Sequence, residues 1–422
     1  MARVDLQPVI LGGDIGVYAL ARSFHEVFRV RSLVVSAAPI RAITSSRIVT
    51  TVPVEHPATA QAHIDALVAL AARHRAETAS AGVPVTLLLM ANTDWFIRLA
   101  VTNRAVLQEA GYIVPFLDEE TLAVVSDKDS FARVCAQQGV PTPRTVVADF
   151  RDADDAGWTP PDVDLPFPLI AKPSSSAAYN DVRFTGKKKV YHVADAAELA
   201  ALWETLRAAG FRDRFLAQEL IPGDDTQMRS ITAYVDSRGE VSLLGTAHVL
   251  LEDHAPTMLG NPVAMITGRD DALTEPARRF LTAVNYRGFA NFDVKIDPRD
   301  GTAHFFEVNP RIGRNSYYMT AAGLNPMRWL VADHVDHAPL APAVLERQVL
   351  YSLVPQRLLR RYVREPELAE RVARLYREGR VVDPLDYGND AGLARVAAVL
   401  ATKYNHVRKF GRHYPVPTDS SF

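Results

Sequence analysis

At 422 residues, with 48% hydrophobic and 23% charged side chains, the chain is long enough for two or three domains with substantial cores. A formal net charge of -2 argues against a protein-wide basic surface for nucleic acid. The single cysteine, Cys135, excludes an intrachain disulfide framework and fits a reducing compartment. The apolar stretch after Asp5, PVIL at 7–10 plus Leu11, is too brief for a signal-peptide core. No apolar run approaches the ~20 residues that span a bilayer. A soluble, cytoplasmic protein without a transmembrane segment is expected.

In chain order, the first third alternates strand and helix. Val9 to Leu11 reads as a strand, Gly12, Gly13 and Gly16 as a tight turn, and Leu20, Phe24, Val27 and Phe28 as one side of a helix. Leu33 to Val35 is a second strand, 60–75 an alanine-rich helix and VTLLLM at 85–90 a buried strand. Such alternation predicts a parallel sheet covered by helices. GGDIG lacks the spacing of the dinucleotide fingerprint G-x-G-x-x-G and reads as a plain strand-to-helix turn.

Ser126 or Asp127 can cap a helix that runs to Gly139, before Pro141 and Pro143. Cys135 shares the apolar side of that helix with Phe131 and Val134, the place of a buried structural thiol. Residues 151–168, rich in Asp and Pro, read as an exposed connection. A β-rich stretch follows. PLIAK at 168–172 is a strand, Asp195 and Glu198 cap a helix burying Leu199, Leu202, Trp203 and Leu206, and FLAQELI at 215–221 is a strand. ITAYV at 231–235 and VSLLGTAHVL at 241–250 form a hairpin, as do FANFDVKI at 289–296 and HFFEVN at 304–309 around the turn at 298–301. From about 340 the chain offers a strand, VLYSL at 349–353, and then arginine-rich helices.

Chemistry concentrates on the second hairpin. Glu307 and Asn309 are two residues apart and share a strand face. The turn folds Asp293 back beside them, so three oxygen donors converge. Magnesium takes oxygen ligands, usually one or two carboxylates plus substrate phosphates. Arg311 and Arg314 follow directly, with fixed charges suited to phosphate or carboxylate oxygens. Acids for a divalent cation beside arginines are what phosphoryl transfer requires. Lys172 ends an apolar strand before Ser174, Ser175, Ser176, Ala177 and Ala178, small residues whose backbone N–H groups can cover phosphates.

SDKDSFARVCAQQGVPTP (126–143), PFPLIAKPSSS (166–176), FLAQELIPGDD (215–225) and FANFDVKI…FFEVNPRIGR (289–314) together resemble the ATP-grasp superfamily over about 120 to 330. The resemblance implies an α/β fold of the α+β grasp type, with ATP and Mg²⁺, or Mn²⁺, as cofactors. It divides the chain into a Rossmann-like domain at 1–117, a two-lobed grasp with antiparallel sheets at 118–338, and a small, mainly helical extension at 339–422. Within the grasp it places a lid lobe at about 140–217, a hinge at 218–225 and a metal-binding lobe at 226–338.

By the same resemblance, Lys128 and Lys172 hold the α- and β-phosphates under the Ser174–Ser175–Ser176 loop. The backbone of Gln218, Glu219, Leu220 and Ile221 reads the adenine edge. Asp225 accepts from the ribose, with Asp224 as the neighbouring option. Asp293, Glu307 and Asn309 hold the metal, and Arg311, with Arg314 beside it, stabilises the transferring phosphoryl group. Two departures stand out: serines and alanines replace a glycine-rich lid, and Asn291 stands where some relatives carry arginine.

LGGDIGVYALARSFHE (11–26), PSSSAAYNDVRFTGKKKVYHV (173–193), IPGDDTQMRSITAYVD (221–236) and LLEDHAPTMLGNPVAMI (250–266) look like the D-aspartate ligases of peptidoglycan cross-bridge synthesis. That likeness implies an amino-acid substrate and an amine acceptor, a cell-wall precursor among the candidates, and leaves a homo-oligomer open. The alternatives are a ligase joining another amino acid to a small amine, and a non-catalytic nucleotide-binding module.

Other clusters read as structural. His334 and His337 are expected at a solvated helix end, and Lys187 to Lys189 read equally as a charged hairpin surface and as a patch that steers an anionic substrate. Arg357, Arg360, Arg361 and Arg364 are expected to pack, with a solvated face. The segment from Glu252 to Pro262 is expected to be a loop that helps select a substrate.

Overall fold

The computed structural model describes residues 3–55, 59–81, 85–174, 179, 182–188, 190–256 and 258–420. Ser175, Ser176 and Lys189 lie outside them.

Strands β1 (Leu6–Leu11), β2 (Ser32–Ser36), β3 (Val49–Pro53), β4 (Thr86–Ala91) and β5 (Tyr112–Ile113) form a parallel sheet in the order β3-β2-β1-β4-β5. The apolar runs of β1, β2 and β4 are buried almost throughout, as inner parallel strands require, whereas the edge strand β3 is largely exposed. The order reverses between β1 and β4, and at such a switch point the carboxyl ends of the strands open a crevice. Asp14 follows β1 there, caps the helix Ile15–Phe28 through the Val17 N–H at 3.0 Å, and also accepts from Asn92, which follows β4.

The middle of the chain forms a small antiparallel sheet of β6 (Thr145–Asp149), β7 (Leu169–Pro173), β8 (Tyr191–Val193) and β9 (Arg214–Glu219), ordered β6-β9-β7-β8. The helix Ala196–Ala208 packs Trp203 and Leu206 against it, in a separate core with Phe150, Phe211 and Phe215. Asp195 caps that helix through the Glu198 N–H, and Glu198 reaches back to the Ala194 N–H.

The large sheet holds β10 (Met228–Val235), β11 (Val241–Asp253), β12 (Asn261–Gly268), β13 (Gly288–Ile296), β14 (Ala303–Asn309), β15 (Ala343–Val344), β16 (Leu350–Ser352) and β17 (Val381–Val382). Its order is β14-β13-β10-β11-β12-β16-β17, with β15 parallel to β11. The sheet therefore takes up strands from beyond residue 338: β16 lies within the expected strand at 349–353, while β15 and β17, two residues each, are defined by pairing rather than by sequence pattern. The expected loop from Glu252 to Pro262 is also shorter: β11 runs through Asp253 and β12 begins at Asn261. Cys135 is fully buried on the helix Lys128–Gln137.

Candidate active site

Cross-strand register assembles the expected metal site. Asp293 on β13 pairs with Glu307 on β14, and Asn291 with Asn309. A bulge after Asp293 re-aims the hairpin there. The Asn309 amide donates to Asp293 at 3.0 Å. Burial first, then the neighbouring Glu307 carboxylate, pushes Asp293 up to about 7; two carboxylates that share a desolvated face resist joint ionisation. A divalent cation relieves that repulsion, and the donor set is entirely oxygen. These residues fit magnesium.

A second acid–base group lies beneath. Lys295, 5% exposed, donates from Nζ to the Gly223 carbonyl at 2.8 Å. Glu252 at the end of β11 is held well above the carboxylate range by burial, with Asp225 and Asp293 adding to it and Lys295 opposing. Sequence reasoning missed both residues, although Lys295 shares a strand face with Asp293 two residues away.

The lysine side converges through Arg214. Its guanidinium pairs with Asp127 and Asp129, which flank Lys128, while its carbonyl accepts from the Ser174 N–H at 2.9 Å. Asp127 caps the helix through the Ser130 N–H at 2.9 Å. Lys172 sits 5.8 Å from the ring centre of Phe306, the residue before Glu307. The segments carrying Lys128 and Lys172 are thus tied together, and Lys172 faces the metal hairpin.

Along the hinge, Gln218 is buried and donates to Thr145 at 3.0 Å. Glu219 pairs with Arg144 and Arg299, each at 3.1 Å. Leu220 and Ile221 leave β9 towards a short turn at Asp225–Gln227. The expected ribose contact of Asp225 meets a carboxylate turned inward. Its side chain is 5% exposed, and Oδ2 accepts from the Glu252 N–H and from His254 Nε2, both at 2.9 Å. Asp224 is the more open of the two at 22%; it accepts from Thr226 and lies 3.4 Å from Arg364. His254 also stacks on Tyr414 at 3.7 Å, so the β11–β12 tip faces the C-terminal segment.

Arg311 and Arg314 reach the first domain. Arg311 Nε donates to Asp94 at 3.1 Å, and Arg314 Nε to Asp14 at 2.7 Å. Asn92 donates to the other Asp14 oxygen at 3.0 Å. Asp14, Asn92 and Asp94 were not singled out in the sequence; the signal available was their place at the switch point of a parallel sheet. The two arginines tie the carboxyl ends of β1 and β4 to the Asp293–Glu307 hairpin, and charges of both signs meet there.

The remaining clusters make local contacts. His334 pairs with Asp333 at 3.5 Å, and no cluster of three or more His, Cys, Asp or Glu side chains suited to a metal occurs among the described residues. Arg361 donates to the Pro415 carbonyl and Arg364 to Asp419. Lys187 donates to the carbonyls of Tyr179 and Val182.

No family model matches the chain. It is 28% identical over 414 residues to a D-aspartate ligase of Enterococcus faecium (strain Aus0004), covering 97% of each chain. Among solved structures it superposes on an N5-carboxyaminoimidazole ribonucleotide synthetase in complex with ADP, with a TM-score of 0.55 and 12% identity over 83% of this chain and 81% of the other. An L-amino acid ligase from Bacillus licheniformis aligns with a TM-score of 0.51 and 16% identity, over 81% and 76%. No helix among the described residues is long and apolar enough to cross a membrane. The fold is that of the ATP-grasp enzymes, and over nearly its whole length the chain is similar to a D-aspartate ligase.

Proposed function

We propose that the protein activates the side-chain carboxylate of D-aspartate, or of a similar amino acid, as an acyl phosphate. It then joins that carboxylate to the side-chain amine of a peptidoglycan precursor. The near full-length similarity to a D-aspartate ligase supports the substrate. The observation that carries the chemistry is that the Asp293–Glu307–Asn309 hairpin runs directly into Arg311 and Arg314, whose guanidinium groups meet Asp94 and Asp14 at the switch point of the parallel sheet.

In this reading Asp293, Glu307 and Asn309 hold Mg²⁺, which neutralises phosphate charge during transfer. Lys128 and Lys172 position the triphosphate beneath the loop at Ser174, Ser175 and Ser176. Gln218 to Ile221 present backbone groups to the adenine, and Asp224, the more open of the two hinge acids, faces the ribose hydroxyls. Asp14 and Arg314 offer one charge of each sign, which suits a zwitterion: the ammonium on Asp14 and the α-carboxylate on Arg314. Arg311 is left for the developing phosphoryl charge.

The test is phosphate release from ATP and Mg²⁺ across a panel of D- and L-amino acids, with and without nucleotide-linked cell-wall precursors. Strong preference for D-aspartate with product formed on the precursor amine is expected. Turnover with two free amino acids alone supports the alternative ligase, and tight ATP binding without turnover overturns both.

A further inference from the structure

The C-terminal helix spans Leu393–His413. Its inner face is fixed by polar anchors. Arg395 pairs with Asp390 at 2.9 Å, Lys403 with Asp383 at 3.1 Å and Lys409 with Asp253 at 3.2 Å. Phe410 packs on the Tyr362 ring. These contacts hold the helix rigidly against both the first domain and the large sheet, and determine which face points outward.

That outward face is apolar. Leu393 is 92% exposed, Val396 44%, Leu400 60%, Tyr404 68% and Val407 39%. Spacings of three, four, four and three residues put all five on one stripe, about 20 Å long at the helical rise. Single exposed apolar side chains are ordinary, but a contiguous row on a docked helix marks a surface that is covered in use.

The rim indicates what covers it. The 21-residue helix contains no Asp or Glu. Exposed Arg408 and Arg412 lie at its C-terminal end, and exposed Arg47 has its guanidinium beside Gly392 at the other. The neighbouring helix Pro366–Arg377 differs, mixing Glu367 and Glu370 among its arginines. A second copy laid on the stripe would set basic rim against basic rim in either orientation. An anionic lipid surface takes both the apolar row and the arginines.

We propose that the outer face of this helix docks the protein on an anionic membrane surface, with Leu393, Val396, Leu400, Tyr404 and Val407 in the headgroup layer and Arg47, Arg408 and Arg412 on lipid phosphates. The helix lies in the interface plane and does not cross it.

The test is co-sedimentation of the full-length protein with phosphatidylcholine vesicles, with and without phosphatidylglycerol, at low and high salt. Partition onto the phosphatidylglycerol vesicles is expected, several-fold weaker at high salt. The double variant Leu400→Glu/Tyr404→Glu should lower partition about tenfold or more, with unchanged turnover on soluble substrates. Arg408→Gln/Arg412→Gln should weaken binding and flatten the salt dependence. No partition by the parent protein, or equal partition by the Leu400→Glu/Tyr404→Glu variant, overturns the proposal. So does a concentration-dependent dimer, seen by light scattering, that this variant dissolves while the parent ignores vesicles.

Discussion

Arg314 Nε donates to Asp14 Oδ2 at 2.7 Å across 300 residues of sequence, joining the loop after the metal hairpin to the first turn of the parallel sheet. The approach is close enough to restrict the backbone. A Cβ on Gly16 would come within 2.9 Å of the Arg314 Cα and carbonyl oxygen, so only glycine admits the loop here. Gly16 of GGDIG therefore serves the contact with the Arg314 loop.

Asp14→Asn separates the charge from the cap. Asparagine retains the hydrogen bond that starts the helix Ile15–Phe28, but Arg314 loses its counter-charge and an incoming ammonium loses its acceptor. Removing one partner of a hydrogen-bonded charge pair costs about 2–5 kcal/mol in binding. The expected outcome is KM for the amino acid raised about 30-fold or more, with KM for ATP and Tm nearly unchanged. Steady-state kinetics with each substrate varied in turn checks it, and an equal rise in both KM values would contradict the assignment.

Glu307→Gln keeps the size and hydrogen-bonding reach of the side chain and removes one negative charge from the hairpin. If that charge holds the cation at the site of transfer, kcat should fall about 10³-fold, while circular dichroism and Tm stay within the range of the parent protein. A folded Glu307→Gln protein with near-normal turnover would remove the metal role.

Asp293 makes the hairpin sensitive to pH. Its carboxyl ionises near the ordinary value of about 3.9 when unfolded and is pushed up to about 7 when folded. Between those values the unfolded chain releases a proton that the folded chain keeps. This group's contribution to stability is therefore full at low pH, is lost as pH rises towards 7, and stays lost above it. Without metal, Tm should carry a downward component of a few degrees over that window, absent in Asp293→Asn. Mg²⁺ with a nucleotide favours the ionised form, so it should raise Tm more at pH 8 than at pH 6. Differential scanning fluorimetry across pH checks both; a metal effect larger at pH 6 would reverse the sign.

Much of this site was legible because its determinants are local. Alternation along 289–309, the turn at 298–301 and the acids on one face are short-range features, and the pairing of Asp293 with Glu307 follows from them. Asp127 as a cap was readable for the same reason. Asp14, Asn92 and Asp94 were not, because their importance arises only when strands β1 and β4 lie side by side and a loop 300 residues away folds onto them. Glu252 looked like the start of a loop and Lys295 like a strand lysine; burial, which no pattern states, makes them an interacting pair. Asp225 looked available for ribose because its sequence neighbours are turn formers, whereas His254 and the Glu252 N–H claim its carboxylate.

Arg395 tests how firmly the C-terminal helix is bound to the first domain. It is 2% exposed and lies 2.9 Å from Asp390, which is fully buried. Its other nitrogens donate to the Ala42 and Leu385 carbonyls, and the guanidinium covers the Tyr18 ring at 3.9 Å. Asp390 in turn accepts from Tyr18, Ser46 and the Arg47 N–H. Arg395→Met keeps much of the volume but leaves Asp390 buried without its counter-charge, a loss of about 3–5 kcal/mol in stability. Asp390→Asn added to it removes the stranded charge and should recover part of that loss. An exposed pair such as Arg151–Asp149 should show almost nothing when broken, because water screens it. Urea denaturation of the single and double variants decides the matter: a cost below about 1 kcal/mol for Arg395→Met, or no recovery in the double variant, would mean that packing rather than the buried ion pair holds the helix in place.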